Sequence, residues 1–259
     1  MTERIDYLLR LGDSSLVLGQ RLAEWTGHGP ELEEDIAMTN IALDLVGQAR
    51  LILSHAGRLE GAGRDEDALA YFRDTRAYRN FTLCELPNSG LVHGHDGGAC
   101  YAFTVVRNLL YFIWQAQLWE RLADSRDTEL AAIAAKSAKE TAYHLRHASH
   151  WVIRFGDGTM DSHARTQGAL DSLLPYCNEL TSTDGVDEAV AAQGFGVRGA
   201  DLAQGWRAQV GAVLDEATLV MPDAVAFCST GKTGIHSEHL DYLLLEMQSL
   251  ARAHPGAQW

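Results

Sequence analysis

Apolar side chains recur at helical spacing along most of the chain. Ile5, Leu8, Leu9, Gly12, Leu16, Gly19, Leu22 and Ala23 fall at offsets 0, 3, 4, 7, 11, 14, 17 and 18, one face of an α-helix. Gly12 and Gly19 on that face would let another helix approach closely. Gly27 and Pro30 end the segment. A second helix is expected over about 31–55, opened by acidic residues that suit its positive end. It is apolar on most sides, through Ile36, Ala37, Ile41, Leu43, Leu45, Val46, Leu51 and Ile52. A helix of that kind belongs in the middle of a bundle.

Residues 57–67 read as a Gly-rich, charged loop, 68–84 as the place of a short polar helix, and 86–98 as an irregular loop with Gly90, Gly94, Gly97 and Gly98. A third long helix, about 99–123, presents Phe103, Val106, Leu110, Ile113 or Trp114, Gln117 and Arg121 on successive turns. The linker at 124–128 supplies capping residues, and its shortness makes the fourth helix, about 129–155, an antiparallel neighbour. Gly156-Asp157-Gly158 ends that helix. Further helices are expected at 161–181 and 199–219, with a short one near 185–193, a turn at 231–234 and a last helix over 237–253. The five prolines lie between these segments or near their ends, and no strand alternation or internal repeat interrupts them. The pattern predicts an all-α fold of long antiparallel helices, organised as one domain over 1–259.

Lys+Arg number 21 and Asp+Glu 35, a net charge of −14. Such a surface repels phosphates, which excludes a general nucleic-acid binder, and it lacks the basic face of a peripheral membrane protein. There is no run of 18 uninterrupted apolar residues and no apolar signal core near the first residues, so no membrane span is expected. Cys84, Cys100, Cys177 and Cys228 form no CxxC pair and suit neither a zinc site nor a disulfide framework. Free thiols point to a reducing, cytoplasmic setting.

Long helical bundles can hold a metal pair through a Glu on each of two helices and Glu-x-x-His on each of the others. None of the 11 histidines has an acidic residue three positions earlier. Two places look like such a site with its ligands replaced. On the fourth long helix, Thr141 and His144 share the apolar side with Leu130, Ile133, Ala134, Ala148, Trp151 and Val152, while Glu140 lies about 100° around. On the second helix, Asn40, Asp44 and Gln48 make a polar line. Asp44 could accept hydrogen bonds from His144 or Asn40 in place of a metal. The other reading is a set of ordinary core or part-solvated polar groups, and both stand at this point.

Residues 136–154 carry a local balance of +3, with Lys136, Lys139, Arg146 and Arg154 against Glu140, and with His144, His147 and His150 interleaved. This is a docking face for an acidic partner or ligand phosphates, or a solvated helix face. The three histidines spread over too wide an arc, with no inward carboxylate, for a metal triplet. His236-Ser237-Glu238-His239 opens the last helix, where Ser237 as N-cap is preferred over a HxxH metal site. Gly231-Lys232-Thr233 lacks the first glycine of a P-loop, and no GxSxG marks a nucleophile.

The stretches YLLRLGDSSLVLGQRLAEWTGHGPELEEDIAMTNIALDLVGQAR (7–50), AKSAKETAYHLRHASHWVIRFGDGT (135–159) and GIHSEHLDYLLLEMQSLARAHPGAQW (234–259) resemble the C subunits of the bacterial phenylacetyl-CoA 1,2-epoxidases, also called ring-1,2-phenylacetyl-CoA oxygenases. The resemblance spans nearly the whole chain. It implies a ferritin-like helical bundle and a structural, non-catalytic role beside a homologous A subunit in phenylacetate degradation. That A subunit holds the di-iron centre and binds the CoA substrate, and the complex uses O2 and electrons from NADPH through a reductase. Residue by residue, the catalytic subunit has Glu-x-Gly-His where this chain has Leu45-Val46-Gly47-Gln48, and Glu-x-x-His where it has Thr141-Ala142-Tyr143-His144. The resemblance thus implies vestigial di-iron positions at Asp44, Leu45, Gln48, Glu140, Thr141 and His144, and no metal or cofactor bound by this chain. The alternatives are an independent metalloenzyme with atypical ligands (Asp44, Glu140, His144 and His236 or His239) and a ferritin-like storage protein.

Overall fold

A computed structural model describes residues 2–90 and 100–257. The expectations for 91–99, including His93, His95 and the rest of the glycine loop, lie outside the described residues. In chain order the α-helices are α1 (Thr2–Ala23), α2 (Leu32–Glu60), α3 (Glu66–Tyr71), α4 (Thr82–Glu85), α5 (Tyr101–Leu122), α6 (Thr128–Gly156), α7 (Met160–Leu173), α8 (Cys177–Thr181), α9 (Gly185–Ala192), α10 (Ala200–Glu216) and α11 (Glu238–Ala253), with 3-10 turns at Thr75–Ala77, Leu174–Tyr176 and Gly231–Thr233. No strand occurs among the described residues. Contacts group the chain into two compact units, Met1–Leu86 with Thr230–Trp259, and Pro87–Ser229.

In the first unit α1 and α2 pack along their lengths. A Cβ at Gly12 would stand 2.8 Å from Leu53 Cδ2, and one at Gly19 3.3 Å from the Ala42 carbonyl oxygen. Rising numbers on α1 meet falling numbers on α2, so the pair is antiparallel and the glycines set its closeness. The one-sided picture of α1 needs correction. Nearly everything from Tyr7 to Leu22 is buried, including Asp13, Ser14 and Ser15, whereas Ala23, on the expected face, is exposed. Asp13 and Ser14 are tolerated because residues 73–81 supply their hydrogen bonds.

The burial expected all round α2 also fails. Met38, Ile41, Leu45, Ala49, Ile52 and Leu53 are buried, but Leu32, Ile36 and Leu43 are exposed. By length and composition α2 would pass for a membrane-crossing helix, yet 44% of that apolar stretch is buried within the protein. It runs five residues further than expected, to Glu60, and closes on Gly61 at φ 68, a left-handed conformation that glycine adopts without strain. Asp65 then caps α3 by accepting a hydrogen bond from the Ala68 N–H.

In the second unit the fully enclosed helix is α5, buried at every position from Tyr101 to Gln115. Its outer turns drift from the expected stripe: Arg121 is exposed, and Gln117 donates to Gln209 at 3.1 Å. Asp127 caps α6, and α6 lies antiparallel to α5, with Trp151 beside Tyr101 and Thr141 beside Gln115. The long helix expected at 161–181 is broken by Pro175, which cannot continue an α-helical ladder, into α7, a 3-10 turn and α8. Gly156, the last residue of α6, meets the end of α10 so closely that a Cβ would fall 2.3 Å from the Ala217 carbonyl oxygen. Trp206 on α10 donates its Nε1–H to the Leu110 carbonyl at 2.9 Å, which ties α10 to α5.

Candidate functional site: the polar positions inside the helix pairs

The inward side of α6 is where periodicity placed it. Leu130, Ile133, Ala134, Thr141, His144, Ala148 and Val152 are buried, and Trp151 is half-buried. Thr141 donates its hydroxyl to Gln115 Oε1 at 3.1 Å, and Gln115 Nε2 reaches the Tyr111 hydroxyl at 3.4 Å. The His144 ring lies against Phe112, centroids 5.1 Å apart and tilted. A threonine, an amide, a phenol and an imidazole thus share one buried patch between α5 and α6. Gln115 is the member that sequence reasoning missed. Its signal was an amide, one of two with Gln117, within the otherwise apolar run 109–119. Glu140 is not part of this patch. It is half-buried and pairs with exposed Lys136 at 3.7 Å.

On α2 the expected polar line does not stay on one side. Asn40 is exposed, Asp44 half-buried, and Gln48 buried, because residues four apart drift around the helix by about 40° per step. Leu45 is fully buried. It sits where α1 comes closest, 3.3 Å from the Cβ that Gly19 lacks.

Taken by donor chemistry, these positions do not fit a carboxylate-bridged metal pair. Leu45 has no donor atom, Gln48, Gln115 and Thr141 are neutral, and of the buried positions His144 alone is a usual ligand, Asp44 being only half-buried. Among the described residues no group of three or more His, Cys, Asp or Glu side chains stands close enough to hold a metal ion.

His236, weighed as a ligand, is engaged differently. Its Nδ1 is 2.9 Å from Glu85 Oε2 and its Nε2 3.1 Å from the Tyr78 carbonyl oxygen. Ser237 stands at the N-cap of α11, but its side chain does not cap. Its backbone N–H instead donates to Glu85 Oε1 at 2.6 Å. The buried Glu85 carboxylate takes over the capping role and leaves the Ser237 hydroxyl without that task. Asn80 Nδ2 also donates to Glu85 at 2.8 Å, and Arg21 Nε to the Glu85 carbonyl at 3.0 Å.

Next to this lies a second buried cluster. Asp13 and Arg73 form a two-nitrogen ion pair, Arg79 N–H donates to Asp13 at 2.8 Å, and the Arg73 guanidinium lies 4.4 Å from the Tyr78 ring centroid. The Tyr78 hydroxyl donates to the Ala70 carbonyl, and Gln248 of α11 donates to the Ala70 and Arg73 carbonyls, each at 3.1 Å. Burial, reinforced by the Asp13 charge, pushes the Tyr78 phenol far above its usual value. Burial works against the charged form of His236, but the Glu85 hydrogen bond and charge outweigh it and hold the imidazole above its ordinary value. The sequence predicts only a short polar helix over 68–84. In fact it supplies most of these groups.

The basic stretch is a surface feature. Lys136, Lys139, Arg146, His150 and Arg154 are exposed and His147 is half-buried. Arg146 stacks over Tyr143 at 5.5 Å and Arg154 over Trp151 at 5.3 Å. Stacking fixes two guanidinium groups along the outer side of α6.

One antiparallel pair of long helices in each unit, with neutral polar groups between α5 and α6, makes this an all-α protein of the ferritin-like class. A family profile for phenylacetic acid catabolic proteins matches residues 1–259, and the chain belongs to that family. It is 45% identical over 259 residues to the C subunit of the 1,2-phenylacetyl-CoA epoxidase of Escherichia coli (strain K12), covering 100% of both chains.

Proposed function

We propose that this chain is a non-catalytic structural subunit of a phenylacetyl-CoA 1,2-epoxidase assembly in cytoplasmic, aerobic phenylacetate catabolism. Its role is to pair with and stabilise a homologous A subunit, which holds the di-iron centre and the CoA thioester. O2 and NADPH electrons, delivered by a reductase, serve that partner. The observation that carries this reading is the Thr141–Gln115 hydrogen bond. Where a metal-binding helix pair needs anionic oxygens, α5 and α6 hold a neutral, mutually bonded pair, and α2 holds Leu45 and Gln48. Full-length similarity to an epoxidase C subunit supports placing the chain in such an assembly. A scaffold acts by linkage: partner contacts made only by the folded state stabilise both chains. The exposed cations of α6 supply a face for an acidic partner surface or a phosphate.

The test is metal analysis and turnover of the purified chain, alone and co-expressed with the A subunit. The expected result is iron and epoxidation that follow the A subunit. One or two irons per chain, or epoxidation without the A subunit, would overturn the reading.

A further inference from the structure

Lys139, Tyr143, Arg146, His150 and Arg154 fall within an arc of about 80° on the outer side of α6, over a length of about 22 Å. All five are exposed. Among the described residues no carboxylate stands within ion-pairing distance of Lys139, Arg146 or Arg154. Lys136, by contrast, is held by Glu140 at 3.7 Å, and Glu140 is the only carboxylate of α6 between residues 130 and 156. The rings of Tyr143 and Trp151 fix the Arg146 and Arg154 guanidinium groups without neutralising them. Ala135 and Ala142, on one flank of the line, are exposed as well, so the α6 backbone is open there to close approach. On a chain of net charge −14, this line of unmatched cations selects an anionic occupant.

We infer that the occupant is a helix of the A subunit carrying a line of carboxylates, and not the phosphates of a ligand. The inference rests on the subunit reading above and narrows it. A small phosphate-bearing ligand is held in a concave site that buries most of it. These residues instead line one side of a single helix, which is convex, and their outermost cations stand about 22 Å apart. A straight helix laid along α6 follows such a line. Laid antiparallel, it meets Arg154, Arg146 and Lys139 with carboxylates at positions i, i+8 and i+15, and Tyr143 with an uncharged residue at i+11. Laid parallel, the carboxylates fall at i, i+7 and i+15 and the uncharged residue at i+4. Either set lies on one side of the partner helix. Guanidinium groups already fixed on rings lose little freedom on docking.

The test joins carbodiimide cross-linking with affinity measurement on the full-length chain and the A subunit. The expected cross-link joins Lys139 to an Asp or Glu of an A-subunit helix that carries two further carboxylates at the stated spacing. Arg146→Glu with Arg154→Glu is expected to weaken binding on the order of 30-fold at about 50 mM salt and under about 5-fold at about 500 mM, with an unchanged circular dichroism spectrum. Lys136→Met, whose cation already has a partner, leaves the affinity within about 2-fold. A cross-linked complex in which Lys139 is joined to no A-subunit carboxylate overturns the inference. So does a double variant that binds as the wild type does, and the subunit reading then survives. A wild type that does not bind the A subunit at all overturns both. Protection of Lys139 from acetylation by CoA alone, equal to that given by the A subunit, overturns the inference by assigning the line to phosphates.

Discussion

Asp13 has no exposed surface and Arg73 almost none, so each finds its counter-charge in the other. Burial alone would lower the Arg73 value, and the Asp13 charge and hydrogen bonds, with Tyr78 and Glu60, together more than offset it. Asp13→Ala leaves a buried guanidinium unmatched. It should cost about 3–5 kcal/mol, read from urea unfolding. At Thr141 the change is milder. Thr141→Val keeps the shape and strips Gln115 of its donor, for an expected loss of about 1–2 kcal/mol in the same assay. His236 gives a pH dependence of definite sign. Its folded value lies above the ordinary 6.5, so its contribution is full below 6.5 and fades as pH rises through the folded value. Urea midpoints should fall with rising pH above 6.5, and His236→Gln should flatten that slope. A slope unchanged in the variant would assign it elsewhere.

At the scale of elements, two close approaches decide what can be substituted. Gly156→Ala drives a methyl group into the Ala217 backbone, which cannot swing aside as a side chain can. A loss of about 1–3 kcal/mol is expected by thermal or urea unfolding. The outer side of α6 should behave as a surface. Lys139→Glu with Arg146→Glu should leave stability within about 0.5 kcal/mol while weakening co-purification with the A subunit, most at low salt. How far each element was legible depends on what its pattern contains. α6 has one polar and one apolar side, so Thr141 and His144 could be placed inward from spacing alone. α2 and α5 are apolar nearly all round, and periodicity cannot say which side a neighbour covers. The central position expected of α2 in fact describes α5. Residues 66–86 were illegible for another reason. Arg73 and Glu85 look like surface charges until Asp13, 60 residues away, and His236, 151 residues away, are brought to them. Gln115 was visible as an amide in an apolar run, beside Gln117, and only its contact with Thr141 sets it apart.

On the scale of the whole molecule, the first and last segments share one unit, while 87–229 form the other from continuous chain. Within the first unit α11 delivers Gln248 to the Ala70 and Arg73 carbonyls and follows His236 and Ser237 onto Glu85. Ending the chain after Ser229 should therefore collapse hydrogen-exchange protection in α1 to α4 and leave protection in α5 to α10 largely intact. Equal loss in both units would show that the division does not govern cooperativity. The same arrangement fixes an order of events on the ribosome. At about 5–20 residues per second, roughly 8–30 s separate the emergence of Glu85 from that of His236. Throughout that interval Asp13, Arg73 and Glu85 have been made but their enclosure has not. The nascent first unit must wait, its apolar helices open to chaperones, while the second unit is made and completed ahead of it.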